Sequence, residues 1–126
     1  MPVTVQQMLA AAEAVVPRIS AEEAKALVGR EDVLFLDVRE PNEVAASGKV
    51  PGALAIPRGL VEFHADPTSP LHDAHFDRAK TVIAYCASGG RSALVLKTLH
   101  DMGYQNVRNL GGFKAWVDAG GPIEKV

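Results

Sequence analysis

The chain has 126 residues, of which 48% are apolar and 22% charged, and its formal net charge is −2. That length supports one domain with its own core and no covalent staple. With 13 basic against 15 acidic residues and no basic block, nucleic-acid binding through electrostatics is excluded as a function class. A single cysteine, Cys86, excludes an internal disulfide and a cysteine-only metal site.

In chain order, Val5, Met8, Leu9, Ala12, Val15 and Val16 recur at helical spacing, which predicts an amphipathic helix over residues 3–16. Residues 1–16 are accordingly expected as an N-terminal helical unit and residues 17–126 as the domain proper. The first residues lack Lys and Arg ahead of the apolar stretch, and Glu13 interrupts it, which argues against a secretory signal. No apolar run approaches the roughly 18 residues of a membrane span. The expected setting is therefore the cytoplasm, where a free thiol persists, with no membrane partner.

Pro17 ends the first helix, and "RIS" predicts a short strand. Ser20 with Glu23 forms a capping-box pattern for a short helix that Gly29 stops. "VLFLDV", residues 33–38, is a near-continuous apolar run, the pattern of a strand covered on both faces. "EPNEVAAS" reads as a short helix with Pro41 in its first turn, and "VPGALAIP" as a turn and a brief strand. After an irregular segment with a helical turn or two around Leu60 to His64, "TVIAY" is a second buried strand. Residues 91–102 place Leu94, Val95, Leu99 and Met102 on one helical face, and Gly103 ends that helix. "VRNL" is a further strand, and "GGFKAWVDAG" a last helix expected to turn Phe113, Trp116 and Val117 inward. Strands alternating with helices predict an α/β layer fold around a mostly parallel sheet.

Cys86 sits at the carboxyl end of the second buried strand, where α/β sheets bind ligands. The residues after it, Ala87, Ser88, Gly89, Gly90 and Arg91, lead into a helix whose first N–H groups have no partner within it. Two glycines allow the backbone to curl these N–H groups into an anion-binding nest. A thiol there, beside a helix N-terminus and an arginine, has its pKa drawn from about 8.5 toward the thiolate range. Cysteine alone is more often a buried small hydrophobe, but C-x-x-x-x-R at a strand-to-helix junction points to a reactive thiolate. Asp37, ending the first buried strand, is expected to hydrogen-bond loop backbone, and Arg39 to form an ion pair with Glu40 or Glu43. Arg58 either contacts an anionic ligand or is solvated, and Trp116 belongs to the core. His64, His72, His75 and His100 match no ligand spacing, so no metal is expected.

The segments "LFLDVREPNE", "GKVPGALAIP", "YCASGGRSA" and "GGFKAWVDAGGP", in this order across residues 17–123, resemble the rhodanese-like domain family, in particular its small single-domain sulfurtransferases. The resemblance implies a five-stranded, mostly parallel sheet flanked by helices on both faces. It also implies Cys86 as the sulfur-accepting nucleophile and residues 87–91 as the cradle of the transferred sulfur; Asp37, Arg39 and Arg58 are read, from their own positions, as supporting residues. No cofactor is implied. The expected partners are a small-molecule sulfur donor such as thiosulfate and an acceptor such as cyanide or a thiol, or a protein persulfide donor or acceptor, with the chain a monomer or homodimer. Lys49 stands where many members carry histidine, and it is read as framework. Cysteine-dependent phosphatases and arsenate reductases use the same strand–loop–helix logic, but they resemble C-x5-R, one residue longer. An arsenate reductase that relays through cysteines lacks its second thiol here. A sulfur carrier or a partner-docking module of the same fold is the alternative from another class.

Overall fold

The computed structural model describes residues 2–126. Four strands, β1 (Val33–Asp37), β2 (Leu54–Ala55), β3 (Thr81–Cys86) and β4 (Val107–Gly112), form one parallel sheet in the order β2–β1–β3–β4. In β1 and β3 alternate side chains enter opposite cores. Leu34, Leu36, Val82, Ala84 and Cys86 face one side, and Phe35, Ile83 and Tyr85 the other. Burial on both faces is why these strands read as continuous apolar runs.

Among the described residues, six α-helices surround the sheet: α1 (Val5–Val15), α2 (Ala21–Lys25), α3 (Pro41–Ser47), α4 (Val61–Ala65), α5 (Gly90–Asp101) and α6 (Phe113–Asp118). Val61 and Ala65 of α4 and Val95, Leu96 and Leu99 of α5 fill the core on the Cys86 side. Ala24 of α2 and Phe113 and Trp116 of α6 fill the other. Thr4 caps α1 and Ser20 caps α2, each in a reciprocal bond with the glutamine or glutamate three residues on. Lys49 pairs its backbone with Glu124 and its ammonium with the Glu124 carboxylate at 3.3 Å.

Three expectations are corrected. The sheet has four strands rather than five, because "RIS" contributes only an isolated parallel bridge between Arg18 and Asn109. The bridge is real but short: the Asn109 N–H donates to Pro17 O at 2.9 Å, and the Ile19 N–H donates to Asn109 O at 3.1 Å. Pro17 has no N–H to extend the ladder, and Ser20 already caps α2, so no room remains for a strand. Val117 is 42% exposed and faces away from the core; Trp116 takes the inward position alongside Phe113. On α1, Val5, Met8 and Val15 are all exposed, and only Ala12 is fully buried. The helix lies outside α5 as an extra layer, and the small Ala12 permits that approach with a narrow contact. Among the described residues, no helix is long and apolar enough to cross a membrane.

Candidate active site

β3 delivers Cys86 to the carboxyl edge of the sheet, with the residue 1% exposed. Gly89 then adopts φ 100°, a left-handed conformation that L side chains rarely hold, and becomes the N-cap residue of α5. This reversal aims the Gly89 N–H back at the Cys86 Sγ, 3.0 Å away. Burial pushes the thiol's pKa up. The N–H and hydroxyl of Ser92 and the N–H groups of Ser88 and Gly89 outweigh it, and the thiol is held below its ordinary value. The turn that Gly89 permits thus turns a backbone N–H onto the sulfur.

Behind the sulfur lies a buried polar network. The Ser92 Oγ is 3.6 Å from Cys86 Sγ, 3.1 Å from Gly89 O and 2.8 Å from Asn109 Oδ1. Asn109 Oδ1 also accepts the Gly111 N–H at 3.0 Å, while Nδ2 donates to Gly89 O at 3.3 Å. These bonds settle the orientation of the amide. Ser92 has one hydroxyl proton facing three acceptors, so it can turn toward the sulfur once that atom carries charge. Ser92 and Asn109 were not singled out from the sequence. Ser92 follows directly on Arg91, but nothing in "VRNLGG" marks Asn109 as a partner 17 residues away.

The loop also needs glycine across from it. A Cβ on Gly112 would stand 2.7 Å from Ala87 O, and one on Gly89 would stand 3.2 Å from Gly111 Cα. The end of β4 and the nucleophile loop therefore touch backbone to backbone.

Arg91 leaves the ring on the side of α3. Its Nη1 and Nη2 bond both carboxylate oxygens of Glu43 at 2.7 and 3.0 Å. Glu43 raises the Arg91 pKa, and the Cys86 sulfur contributes in the same direction. In return the guanidinium, followed by the Glu40 N–H, brings the Glu43 carboxyl down to about 2. The expected Arg39 pairing with Glu40 or Glu43 is thereby corrected. Arg39 instead forks onto Asp37 at 2.7 Å in a wholly buried pair. Its other donors reach Ser47 Oγ and Gly48 O, at 2.7 and 2.6 Å, and its plane lies 4.3 Å from the Phe113 ring centroid. Asp37 accepts the Arg39 backbone N–H at 3.0 Å, the loop-bracing bond expected of it. Arg58 stands apart: it pairs loosely with Glu62 at 3.4 Å and lines a cavity beside Met8, Leu94 and Lys97. Among the described residues, no group of His, Cys, Asp and Glu is placed to hold a metal ion.

A cysteine under an N–H group at a strand-to-helix turn, backed by the Ser92–Asn109 network, is the site against which the comparisons with known proteins are read. The model of the rhodanese-like domain matches residues 20–119. The chain belongs to the rhodanese-like domain family. A sulfurtransferase of Allochromatium vinosum is 38% identical over 98 residues, covering 77% of this chain and 83% of its own. A thiosulfate:glutathione sulfurtransferase of Saccharomyces cerevisiae is 34% identical over 110 residues, covering 81% and 78%. A solved structure from Rhodopseudomonas palustris, described as a protein of unknown function and possible tyrosine phosphatase, superposes with a TM-score of 0.89. It is 43% identical and covers 98% of this chain and 99% of its own, so the likeness extends over α1 as well. In this rhodanese-like domain, α1 and Arg18 precede the matched segment, whereas Cys86, its loop, Glu43 and Asn109 lie within it.

Proposed function

We propose that the chain is a sulfurtransferase that moves a sulfane sulfur through a persulfide on Cys86. The observation that carries this reading is the Cys86 Sγ held under the Gly89 N–H, with its pKa below that of an ordinary thiol. The thiolate attacks the outer sulfur of a donor such as thiosulfate. A new S–S bond forms to Cys86, the donor's own S–S bond breaks, and its electron pair leaves with sulfite. A thiophilic acceptor, cyanide or a thiol, then attacks the outer sulfur and returns Cys86 as thiolate, with no net oxidation. Splitting the transfer in two gives ping-pong kinetics. The N–H groups of Ser88, Gly89 and Ser92 stabilise the anionic sulfur before and after transfer. The chain has no second cysteine to receive the sulfur internally, so the persulfide discharges to an external small molecule or to a protein acting as sulfur acceptor. The cytoplasm is the proposed setting.

The description of the Rhodopseudomonas structure raises phosphate-ester hydrolysis as a second reading. Ring size speaks against it. Arg91 is the fifth residue after Cys86, and that arginine is committed to Glu43 rather than free to fork onto a tetrahedral oxyanion.

Intact mass measurement decides between them. Incubation with thiosulfate is expected to add one sulfur, which cyanide removes as thiocyanate. Cys86→Ser is expected to take up none, because an alcohol in the same nest stays protonated. Sulfur transfer by the serine variant, or turnover of a phosphate ester with no sulfur uptake, overturns the proposal.

A further inference from the structure

The segment ahead of the family match does more than cover α5. Leu9 and Glu13 of α1, Arg18, and Ser88, Gly89 and Asn109 together line one cavity of about 290 Å³. The nucleophile loop is therefore part of this cleft, and Gly89 is the residue whose N–H holds the Cys86 sulfur.

Arg18 is rigidly carried there. Its two chain neighbours are both bonded to Asn109, by Pro17 O at 2.9 Å and the Ile19 N–H at 3.1 Å. The same Asn109 grips Gly89 O and Ser92 through its side chain. The guanidinium lies over Gly111, with Nη2 3.3 Å from where a Cβ on that glycine would stand. Among the described residues it has neither an ion-pair nor a hydrogen-bond partner, unlike Arg39 and Arg91. A forked donor without a carboxylate, mounted on the network that holds the nucleophile loop, is suited to an anionic group of a ligand. Glu13, which lines the same cleft, keeps its charge near neutral, which favours a monoanionic or zwitterionic ligand over a polyanion.

We infer that the cleft between α1 and the nucleophile loop is the subsite for the organic part of a thiol substrate that carries a carboxylate, with Arg18 as its anion contact. The inference rests on the sulfurtransferase reading for the chemistry, but the binding it describes is measurable without turnover. Cyanide and other acceptors without an organic part have nothing to place in this cleft. Arg18 would therefore decide which thiol discharges the persulfide rather than whether it discharges.

Two measurements test it, on the full chain. The first is calorimetric titration with S-methylglutathione, which has the carboxylates and ammonium but cannot react. Arg18→Ala is expected to weaken binding about tenfold, the loss of one charge-assisted contact, and Arg18→Lys to recover part of it. The second is the ratio of kcat/KM for 3-mercaptopropionate to that for cysteamine, two thiols of similar size and opposite charge. That ratio is expected to fall about tenfold in Arg18→Ala and further in Arg18→Glu, since the glutamate attracts the ammonium. S-methylglutathione binding and thiol ratios equal to wild type in all variants overturn the subsite. An absence of sulfur uptake in the wild type overturns the sulfurtransferase reading instead, while the titration still decides whether the cleft takes a carboxylate.

Discussion

Glu43 holds Arg91 with both carboxylate oxygens, at 2.7 and 3.0 Å, across 48 residues of chain. The pair joins the first turn of α3 to the first turn of α5 and closes the outside of the sulfur cradle. The loop's arginine is thus oriented by a residue outside the loop.

The depressed Glu43 pKa makes this pair a source of pH-dependent stability. In the unfolded chain the carboxyl titrates near about 4.3, and in the folded one near about 2. Its contribution is complete above the unfolded value and is lost as pH falls through the folded one. Glu43→Gln is expected to flatten the decline in stability between about pH 4.3 and 2, as read by denaturant titration across that range, and to cost about 1 kcal/mol at neutral pH. The same variant frees the guanidinium and removes a negative charge beside the loop, and the KM for the anionic donor thiosulfate is expected to fall several-fold. An unaltered pH–stability profile would show that the pair is energetically idle.

Ser92 tests the polar network behind the sulfur. Ser92→Ala removes the hydroxyl 3.6 Å from Sγ but keeps the backbone N–H that also acts on it. The Cys86 pKa is expected to move upward, because a hydrogen bond to the charged sulfur is lost. The pH dependence of alkylation by iodoacetamide measures it directly. A midpoint that does not move would assign thiolate stabilisation to the backbone alone.

Asp37 and Arg39 form the one ion pair buried on both sides among the described residues. Asp37→Ala leaves the Arg39 guanidinium buried without its counter-charge and is expected to cost about 3–5 kcal/mol, visible as a large drop in the urea midpoint. Arg39→Lys keeps the charge but cannot fork onto Asp37 while reaching Ser47 and Gly48, and an intermediate loss is expected. Equal stability of Arg39→Lys and wild type would contradict the bracing role.

Gly112 is a steric rather than a conformational requirement. Its φ of −92° is open to any residue, yet a Cβ would meet Ala87 O at 2.7 Å, and both are backbone-bound. Gly112→Ala is expected to cost about 1–3 kcal/mol as overpacking and to displace the nucleophile loop. Sulfur transfer should fall by more than the thermal shift alone explains. Wild-type kinetics in a stably folded Gly112→Ala protein would show that the loop tolerates the displacement.

The amino-acid sequence by itself determined the features whose causes are local. Two continuous apolar runs specified the buried central strands, the Ser20–Glu23 capping box and glycines marked helix ends, and the cysteine before two glycines marked the junction of β3 with α5. These depend on hydrophobic period and turn chemistry within a few residues, which the chain carries in its order. It also pointed to a strand in "RIS" that Pro17 and the Ser20 cap reduce to a single bridge. Its helical period for α1 did not say how much of that face a neighbouring helix would cover. Tertiary structure alone decided which acid each arginine meets: Asp37 for Arg39, Glu43 for Arg91, and none among the described residues for Arg18. Partner choice among charged side chains depends on distance in space, and Glu40, Glu43 and Asp37 were equally eligible by spacing. Asn109 shows the same thing from the uncharged side. It is an ordinary strand residue in sequence, but because β3 and β4 lie side by side its side-chain amide reaches Gly89 and Ser92 while its backbone bonds Pro17 and Ile19.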